Sequence, residues 1–197
     1  MSDKLFDAHD DANTPLTPDE RAGLLLTYVT ARQELNDAEQ ANISDADRWA
    51  FTRKRDVLHV AFLRRLHKRM LGKVWKWAGE FSGEANRRIG VDHWLIEPEL
   101  CALIDNVHYW SEHRTYAPDE IALRFHHKLT WIHAFPNGNG RHARLAADLL
   151  AVALGQPAFT WGSKSLVETS ELRDRYVAAL RAADNHDLQP LLDFARS

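Results

Sequence analysis

The sequence predicts an all-α fold, a helical bundle with one small β-hairpin. Apolar residues recur every three or four positions through most of the 197-residue chain, as they do along the buried face of a helix. Residues that start and stop helices separate these stripes. Only residues 86–97, NRRIGVDHWLIE, break the pattern, because β-branched and aromatic residues surround Gly90 and Asp92 there. This short segment is typical of a hairpin.

The N-terminal part is predicted to hold three helical segments after an irregular tail at residues 1–16. Residues 17–20, TPDE, supply an N-cap, a proline at the first helical position and acids in the first turn. Apolar residues at helical spacing follow: Leu24, Leu25, Tyr28 and Val29. Residues 30–42 are rich in Glu, Gln and Ala and predict a second helix. Ser44 followed by Asp47 resembles a capping box that opens a third.

Five apolar stripes predict the helices of the bundle itself, and the strongest of them would form its centre. The stripes are Leu58, Phe62, Leu66 and Met70; Leu100, Leu103, Ile104, Val107 and Trp110; Ile121, Phe125, Leu129 and Ile132; Leu145, Leu149 and Val152; Leu172, Tyr176 and Leu180. The second stripe starts after Pro98, and Gly155 ends the fourth. Cys101, the single cysteine, falls within the second stripe and is predicted to be a core residue that forms no intramolecular disulfide.

Composition and charge exclude several functional classes. A hydrophobic content of 45% and a charged content of 27% are typical of globular proteins. The net charge of −3 gives no overall basic field. No run is long and apolar enough to cross a bilayer, and the acidic N-terminus does not resemble a secretory signal. We therefore predict a cytoplasmic protein that contacts neither membrane nor nucleic acid directly. The basic runs at residues 53–55 and 64–69 are predicted to be solvated helix faces rather than a partner or nucleic-acid surface.

The run HAFPNGNGRHAR, residues 133–144, predicts an anion site. A helix ends near its start and the next helix begins near its glycines, so the loop delivers Gly138, Asn139 and Gly140 to a helix N-terminus. Free backbone N–H groups and the positive end of the helix dipole bind anions there. The two glycines allow a ligand to approach the backbone closely. No Walker A pattern is present.

Three charged or titratable side chains flank this loop. Arg141 and Arg144 are three residues apart and can share one helix face, where their guanidinium groups bind phosphate bidentately. His133 lies across the loop and can accept a proton from an attacking hydroxyl near neutral pH. This arrangement favours transfer of a phosphorus-containing group. A capped interhelical turn is the alternative interpretation; a zinc site built on His126, His127 and His133 is disfavoured because HExxH is absent.

The same run resembles the signature of the Fic family, H-x-F-x-[DE]-G-N-G-R-x-x-R, at every position but one. The helical layout and the predicted hairpin also resemble Fic domains, so residues 17–197 are predicted to form one Fic-type helical bundle with an N-terminal helical extension. The stretches WAFTRKRDVL, VWKWAGEF and FPNGNGRHARL resemble, more narrowly, the Fic-type group called mobile mystery protein B.

The resemblance implies that AMP is transferred from ATP to a hydroxyl of a target protein. It implies a role in this reaction for six residues of the run. His133 would be the general base, and Gly138, Asn139 and Gly140 would bind the α- and β-phosphates. Arg141 would bind the β-phosphate and Arg144 the γ-phosphate. Glycine at 140 resembles the AMP-transferring type rather than the phosphorylating Doc type. The hairpin, with Ile89, Gly90 and Val91, would be the flap that pins an extended target segment by strand addition.

Asn137 departs from the signature, in which an acid at this position is the Mg²⁺ ligand. An asparagine offers a carbonyl oxygen without charge, whereas Mg²⁺ prefers charged oxygen. We expect weak metal binding, with the triphosphate supplying most of the hold. A slow enzyme, or a nucleotide-binding protein with a regulatory or toxin–antitoxin role, is therefore an alternative function.

Residues 30–36, TARQELN, resemble the inhibitory helix motif of Fic proteins, [ST]-x-x-x-E-[GN], with Leu35 in the last position, and place an inhibitory helix at about residues 28–42. Glu34 would pair with Arg144 and block the γ-phosphate site. Glu39 is a second candidate, and a solvated glutamate is the alternative. Glu34 could instead orient water for removal of AMP from a modified protein. Self-modification and self-association are further possibilities that the resemblance implies.

Overall fold

The structure is a computed structural model that describes residues 18–83, 89–162 and 170–197, and it confirms the helical bundle. The helices are α1 (Pro18–Arg21), α2 (Arg32–Phe51), α3 (Val60–Leu71), α4 (Ile96–His113), α5 (Pro118–Ile132), α6 (Asn139–Ala153), α7 (Ser170–Asp184) and α8 (Gln189–Arg196). Within the described residues the only β-type pairing is an isolated bridge between Leu24 and Trp75. The predicted tail at residues 1–16 lies outside the described residues. None of the described helices is long and apolar enough to cross a membrane.

Helices α5 and α6 form the centre of the bundle. The buried face of α5 carries large side chains, with Phe125 and Ile132 fully inaccessible to solvent. The facing side of α6 carries small ones, because Ala143 and Ala147 are also fully buried. Small residues opposite large ones let two helices pack closely. The loop between the two helices is therefore held at the core of the molecule rather than on a flexible edge.

Helices α2 and α3 pack against each other and place α2 beside the start of α6. The buried amide of Asn42 ties the pair together: its Nδ2 donates to the Arg69 carbonyl at 2.8 Å, and its Oδ1 accepts from the Lys73 N–H at 2.9 Å. These bonds cap the end of α3 from the side of α2, so the two helices are fixed in register.

Two predictions for the N-terminal part are wrong. Residues 30–42 and the segment after Ser44 belong to one continuous helix, α2, because the Ser44 hydroxyl donates to the Gln40 carbonyl within the helix at 2.9 Å instead of capping a new one. The first helix ends at Arg21, and the residues after it pair with the chain that follows α3. The Leu25 N–H donates to the Val74 carbonyl and the Lys76 N–H donates to the Gly23 carbonyl, both at 2.8 Å, and Tyr28 is 68% exposed.

The predicted hairpin is also wrong for the part that the structure describes. Residues 84–88 lie outside the described residues; residues 89–92 form a bend, His93–Leu95 form a 3-10 turn, and α4 begins at Ile96, two residues before Pro98. Proline is tolerated there because the first turn of a helix needs no N–H donor. Cys101 is exposed on α4 rather than buried. Helix α8 is short and was not predicted.

Candidate active site

The loop from residue 133 to residue 138 joins α5 to α6 through two left-handed backbone positions. His133 ends α5 with φ of 53°, and Gly138 begins α6 with φ of 78°. The left-handed conformation of Gly138 favours glycine, and a Cβ there would lie 2.7 Å from Leu71 Cδ1, so the end of that side chain would have to move. The loop thus turns the side chain of His133 back towards the N-terminus of α6.

Asn139 clamps the loop. Its Oδ1 accepts from the Phe135 N–H at 2.9 Å, and its Nδ2 donates to the Phe135 carbonyl at 2.6 Å. The same Nδ2 lies 3.3 Å from both ring nitrogens of His133. The side-chain amide is therefore engaged within the loop, and it positions the histidine. If Asn139 contacts a phosphate, it would do so through its backbone N–H at the start of α6, because its side chain is bonded to Phe135.

His67 supports the loop from below and was missed by sequence reasoning. Its ring stacks on Phe135 at 3.8 Å between centroids. Its Nδ1 accepts from the Gly79 N–H at 3.0 Å, so the proton resides on Nε2, which donates to the Asn137 carbonyl at 2.9 Å. Full burial holds the pKa of His67 well below its usual range, so the ring stays neutral. A polar residue inside an apolar helix stripe was the only available signal.

Burial lowers the pKa of His133 to about 4. The ring is therefore neutral at physiological pH and can accept a proton, as a general base must. The flap residues lie directly against it: a Cβ on Gly90 would be 2.5 Å from the His133 Cβ, and the Val91 N–H donates to the Ile132 carbonyl at 3.2 Å. Ile89 is 51% exposed beside them. The predicted base and the predicted flap are thus brought together.

The two arginines have different partners. Arg141 Nη1 donates to Glu39 Oε2 at 2.7 Å, and Glu39 is buried, with its other oxygen accepting from Trp75 Nε1 at 2.6 Å. Arg144 lies over the ring of Tyr176, 5.3 Å from its centroid. The carboxylate of Glu39, on α2, is therefore already paired with Arg141, one of the two arginines at the loop.

Glu34 does not make the predicted contact with Arg144. Its Oε2 accepts from the Thr30 N–H at 2.8 Å and from the Ala31 N–H at 3.1 Å, which caps the exposed start of α2. These bonds lower the pKa of Glu34. The carboxylate that reaches the loop is Glu39, which stands five residues later on the face of α2 that packs against the bundle.

Asn137 does not offer a prepared metal site. Its Oδ1 accepts from the Gly138 N–H at 2.6 Å and from Arg141 Nη2 at 3.3 Å, so a guanidinium cation faces the oxygen that a metal would need. Among the described residues, no cluster of three or more His, Cys, Asp or Glu side chains is arranged to hold a metal. The residues present do not fit Mg²⁺ in this conformation.

Residues 57–151 match the Fic/DOC family. The protein adenylyltransferase Fic of Drosophila melanogaster is 32% identical over 135 residues, which cover 66% of this chain and 25% of the relative. The protein of the same name from Aedes aegypti is 26% identical over 147 residues, covering 72% and 28%. The chain thus spans about a quarter of the length of these relatives.

Solved structures share the fold. Fic-1 (residues 134–508) from C. elegans superposes with a TM-score of 0.63 at 24% identity, covering 89% of this chain and 50% of that one. The BepC protein from Bartonella tribocorum, with bound AMPPNP, gives a TM-score of 0.66 at 17% identity, covering 91% and 97%. Because the sequence identities are below 25%, the structural similarity establishes only that these proteins share the arrangement of helices.

Proposed function

The chain contains a Fic/DOC-family domain at residues 57–151, and from this premise we propose that it transfers AMP from ATP to a hydroxyl group of a protein. The observation that carries the proposal is a neutral histidine, His133, held by Asn139 at the N-terminus of α6. The names of the relatives, protein adenylyltransferase Fic, support the same activity.

ATP would bind at the start of α6. The backbone N–H groups of the first turn have no partners within the helix and point to where a phosphate chain would lie. Gly138 and Gly140 leave room for it, and Arg141 and Arg144 on the same turn would neutralise it. Two solved structures that share this fold hold a nucleotide, one AMPPNP and the other ADP, and this supports nucleotide binding by the chain.

His133 would take the proton of the target hydroxyl as the hydroxyl oxygen bonds to the α-phosphorus of ATP. The bond from that phosphorus to the oxygen bridging to the β-phosphate breaks, and pyrophosphate leaves. Arg141 and Arg144 would stabilise the negative charge that develops on the leaving group. No step is assigned to a metal, because Asn137 is turned towards Arg141.

The test is transfer of label from α-labelled ATP to protein, measured in a Glu39→Gln background that frees Arg141. We expect His133→Ala to lower the rate by about 10²- to 10⁴-fold, which is the usual contribution of a general base. His113→Ala, an exposed histidine on α4, is the control and should keep the full rate. Undiminished labelling by the His133 variant would refute the assignment.

Autoinhibition is proposed to come from Glu39 rather than from Glu34. The buried carboxylate of Glu39 holds the guanidinium of Arg141 that the phosphates need. ATP must displace this contact to bind productively, so the resting protein would be slow. Removal of AMP by the same site, with Glu34 orienting water, stays an alternative prediction.

A second candidate function, nucleotide binding with little turnover, is favoured by the contacts of Asn137. Asn137→Asp would place a charged oxygen at this point and should create metal-dependent labelling if charge is what the site lacks. Asn137→Ser, which adds no charge, is the control. Labelling that is strong in the unmodified protein and unaffected by either substitution would exclude this candidate.

The target is proposed to be an extended protein segment that lies along Ile89, Gly90 and Val91, where it would reach His133. The exposure of Ile89 and the contact of Gly90 with the histidine support this position. Self-modification, self-association, a toxin–antitoxin role, Mg²⁺ dependence and a cytoplasmic location stay predictions.

A further inference from the structure

A basic cleft lies at the far end of α2 from the candidate active site. It is an open cleft of about 490 Å³, and its lining is Arg53, Lys54, Arg55, Asp56, His59, Ala61, Phe62 and Arg65. We call these residues, together with Trp49 and Arg69 beside them, the basic cleft. The two basic runs of the sequence, predicted to be separate solvated faces, converge here because α2 and α3 pack side by side.

Three arginines surround the ring of Trp49. The guanidinium of Arg55 lies 3.8 Å from the ring centroid, that of Arg69 5.0 Å and that of Arg65 5.7 Å. Arg55 is fixed further by Nη2, which donates to the Trp49 carbonyl at the end of α2 at 2.6 Å. Because the indole face attracts cations, Trp49 at the end of α2 gathers positive charge from α3 and from the loop that precedes it.

Acidic side chains do not neutralise this charge. The acid of the lining, Asp56, accepts from the Leu58 N–H at 3.1 Å and lies 2.9 Å from His59 Nε2. Within the described parts of the chain, no carboxylate forms an ion pair with the four cations Arg53, Lys54, Arg65 and Arg69. Burial is the main cause that lowers the pKa of Arg55, and repulsion from Arg53, Arg65 and Arg69 lowers it further. An anion bound in the cleft would relieve that repulsion.

We propose that the basic cleft binds the sugar–phosphate backbone of a nucleic acid, independently of sequence. The cations come from two segments of the chain: Arg65 and Arg69 stand one helical turn apart, about 6 Å along α3, and Arg53 and Lys54 lie on the loop that precedes it. Arginine binds phosphate oxygens bidentately, which favours phosphodiesters over the carboxylates of an acidic peptide.

The cleft and the candidate active site are separate on α2. Trp49 and Glu39 are ten residues apart, which places the two sites about 15 Å apart along the helix. Nucleic acid could therefore occupy the cleft while the loop at residues 133–138 binds nucleotide. The prediction of no direct nucleic-acid contact rested on the net charge of the whole chain. A local cluster of cations that form no ion pair within the described residues is compatible with that net charge.

The test is fluorescence anisotropy of the full chain with labelled single-stranded and duplex oligonucleotides, measured between about 50 and 200 mM salt. We compare the unmodified protein with Arg53→Gln/Lys54→Gln, which changes only exposed residues, and with a control that removes two exposed arginines of α7, Arg175→Gln/Arg181→Gln. If both cleft cations contact phosphate, their removal should reduce the slope of log affinity against log salt by about 1.4 for single strands and about 1.8 for duplex. The α7 variant should keep the original slope.

The proposal is supported if the protein binds single-stranded or duplex oligonucleotide and the cleft variant shows this loss of slope. The form that binds with the higher affinity identifies the natural source of the phosphates. Three results would overturn it: no binding at the lowest salt, an unchanged slope in the cleft variant, or equally tight binding of polyglutamate of the same charge, which would indicate an acidic protein partner. Thermal unfolding of each variant establishes that the fold is intact. Because the readout is binding, failure here leaves the proposed AMP transfer untouched.

Discussion

Replacing Glu39 by glutamine tests the inhibitory contact with the least change of shape. Glu39 Oε2 lies 2.7 Å from Arg141 Nη1, and the carboxylate side chain is 10% exposed against 24% for the arginine. Glutamine removes the charge but keeps an oxygen that can accept the bond from Trp75 Nε1. The substitution should therefore free Arg141 for phosphate while leaving the packing of α2 in place.

The expected gain follows from the strength of the contact. A hydrogen bond between charged groups contributes about 1.5–3 kcal/mol net, and this pair is shielded from water on the carboxylate side. If ATP must break it, its removal should strengthen productive ATP binding by roughly 10- to 150-fold, since about 1.4 kcal/mol corresponds to a factor of ten. The free energy of unfolding should fall, because the same contact joins α2 to α6.

The assay measures label transferred from α-labelled ATP at ATP concentrations well below saturation. Glu34→Gln is the matched control, because Glu34 lies on the same helix but only caps its start. We expect activation by Glu39→Gln and none by Glu34→Gln. Activation by the Glu34 variant alone, or an unchanged rate in a Glu39 variant that still binds ATP, would refute the assignment of the inhibitory residue.

Two further predictions concern the loop and its histidines. Gly90→Ala should impair labelling more than Gly155→Ala: both positions have positive φ, but only a Cβ at Gly90 meets His133, at 2.5 Å. Equal effects of the two variants would contradict a specific clash at the active site. Lowering the pH from about 6.5 to about 4 should reduce the free energy of unfolding, because the pKa of His133 and that of His142 are about 4 when folded, so the unfolded chain binds protons that the folded one does not. The fully buried His142 alone accounts for roughly 3 kcal/mol, and Asp148, whose pKa burial raises to about 6, acts in the opposite direction. Urea unfolding across this pH range measures the net slope, and a stability that rises as the pH falls would contradict the prediction.

The sequence by itself was sufficient to predict helices α3 to α7 and the loop between α5 and α6. An apolar stripe such as Phe125, Leu129 and Ile132 is a local pattern, and it determines which face of its helix is buried. The order of residues 133–144 likewise places a histidine before a helix N-terminus, because a few adjacent residues decide where one helix ends and the next begins. The hairpin prediction for residues 86–97 was wrong over the described part of that segment, since β-branched residues alone do not supply a partner strand.

Tertiary packing decided which side chains meet. Glu34 and Glu39 both stand on α2, and only the packing of α2 against α6 selects Glu39 as the partner of Arg141. The support of the loop by His67, and the convergence of two basic runs on Trp49, also join residues that are far apart in the chain. Periodicity fixes which face of a helix is buried, whereas the neighbour of that face depends on how whole helices pack, and this is a property of the assembled core.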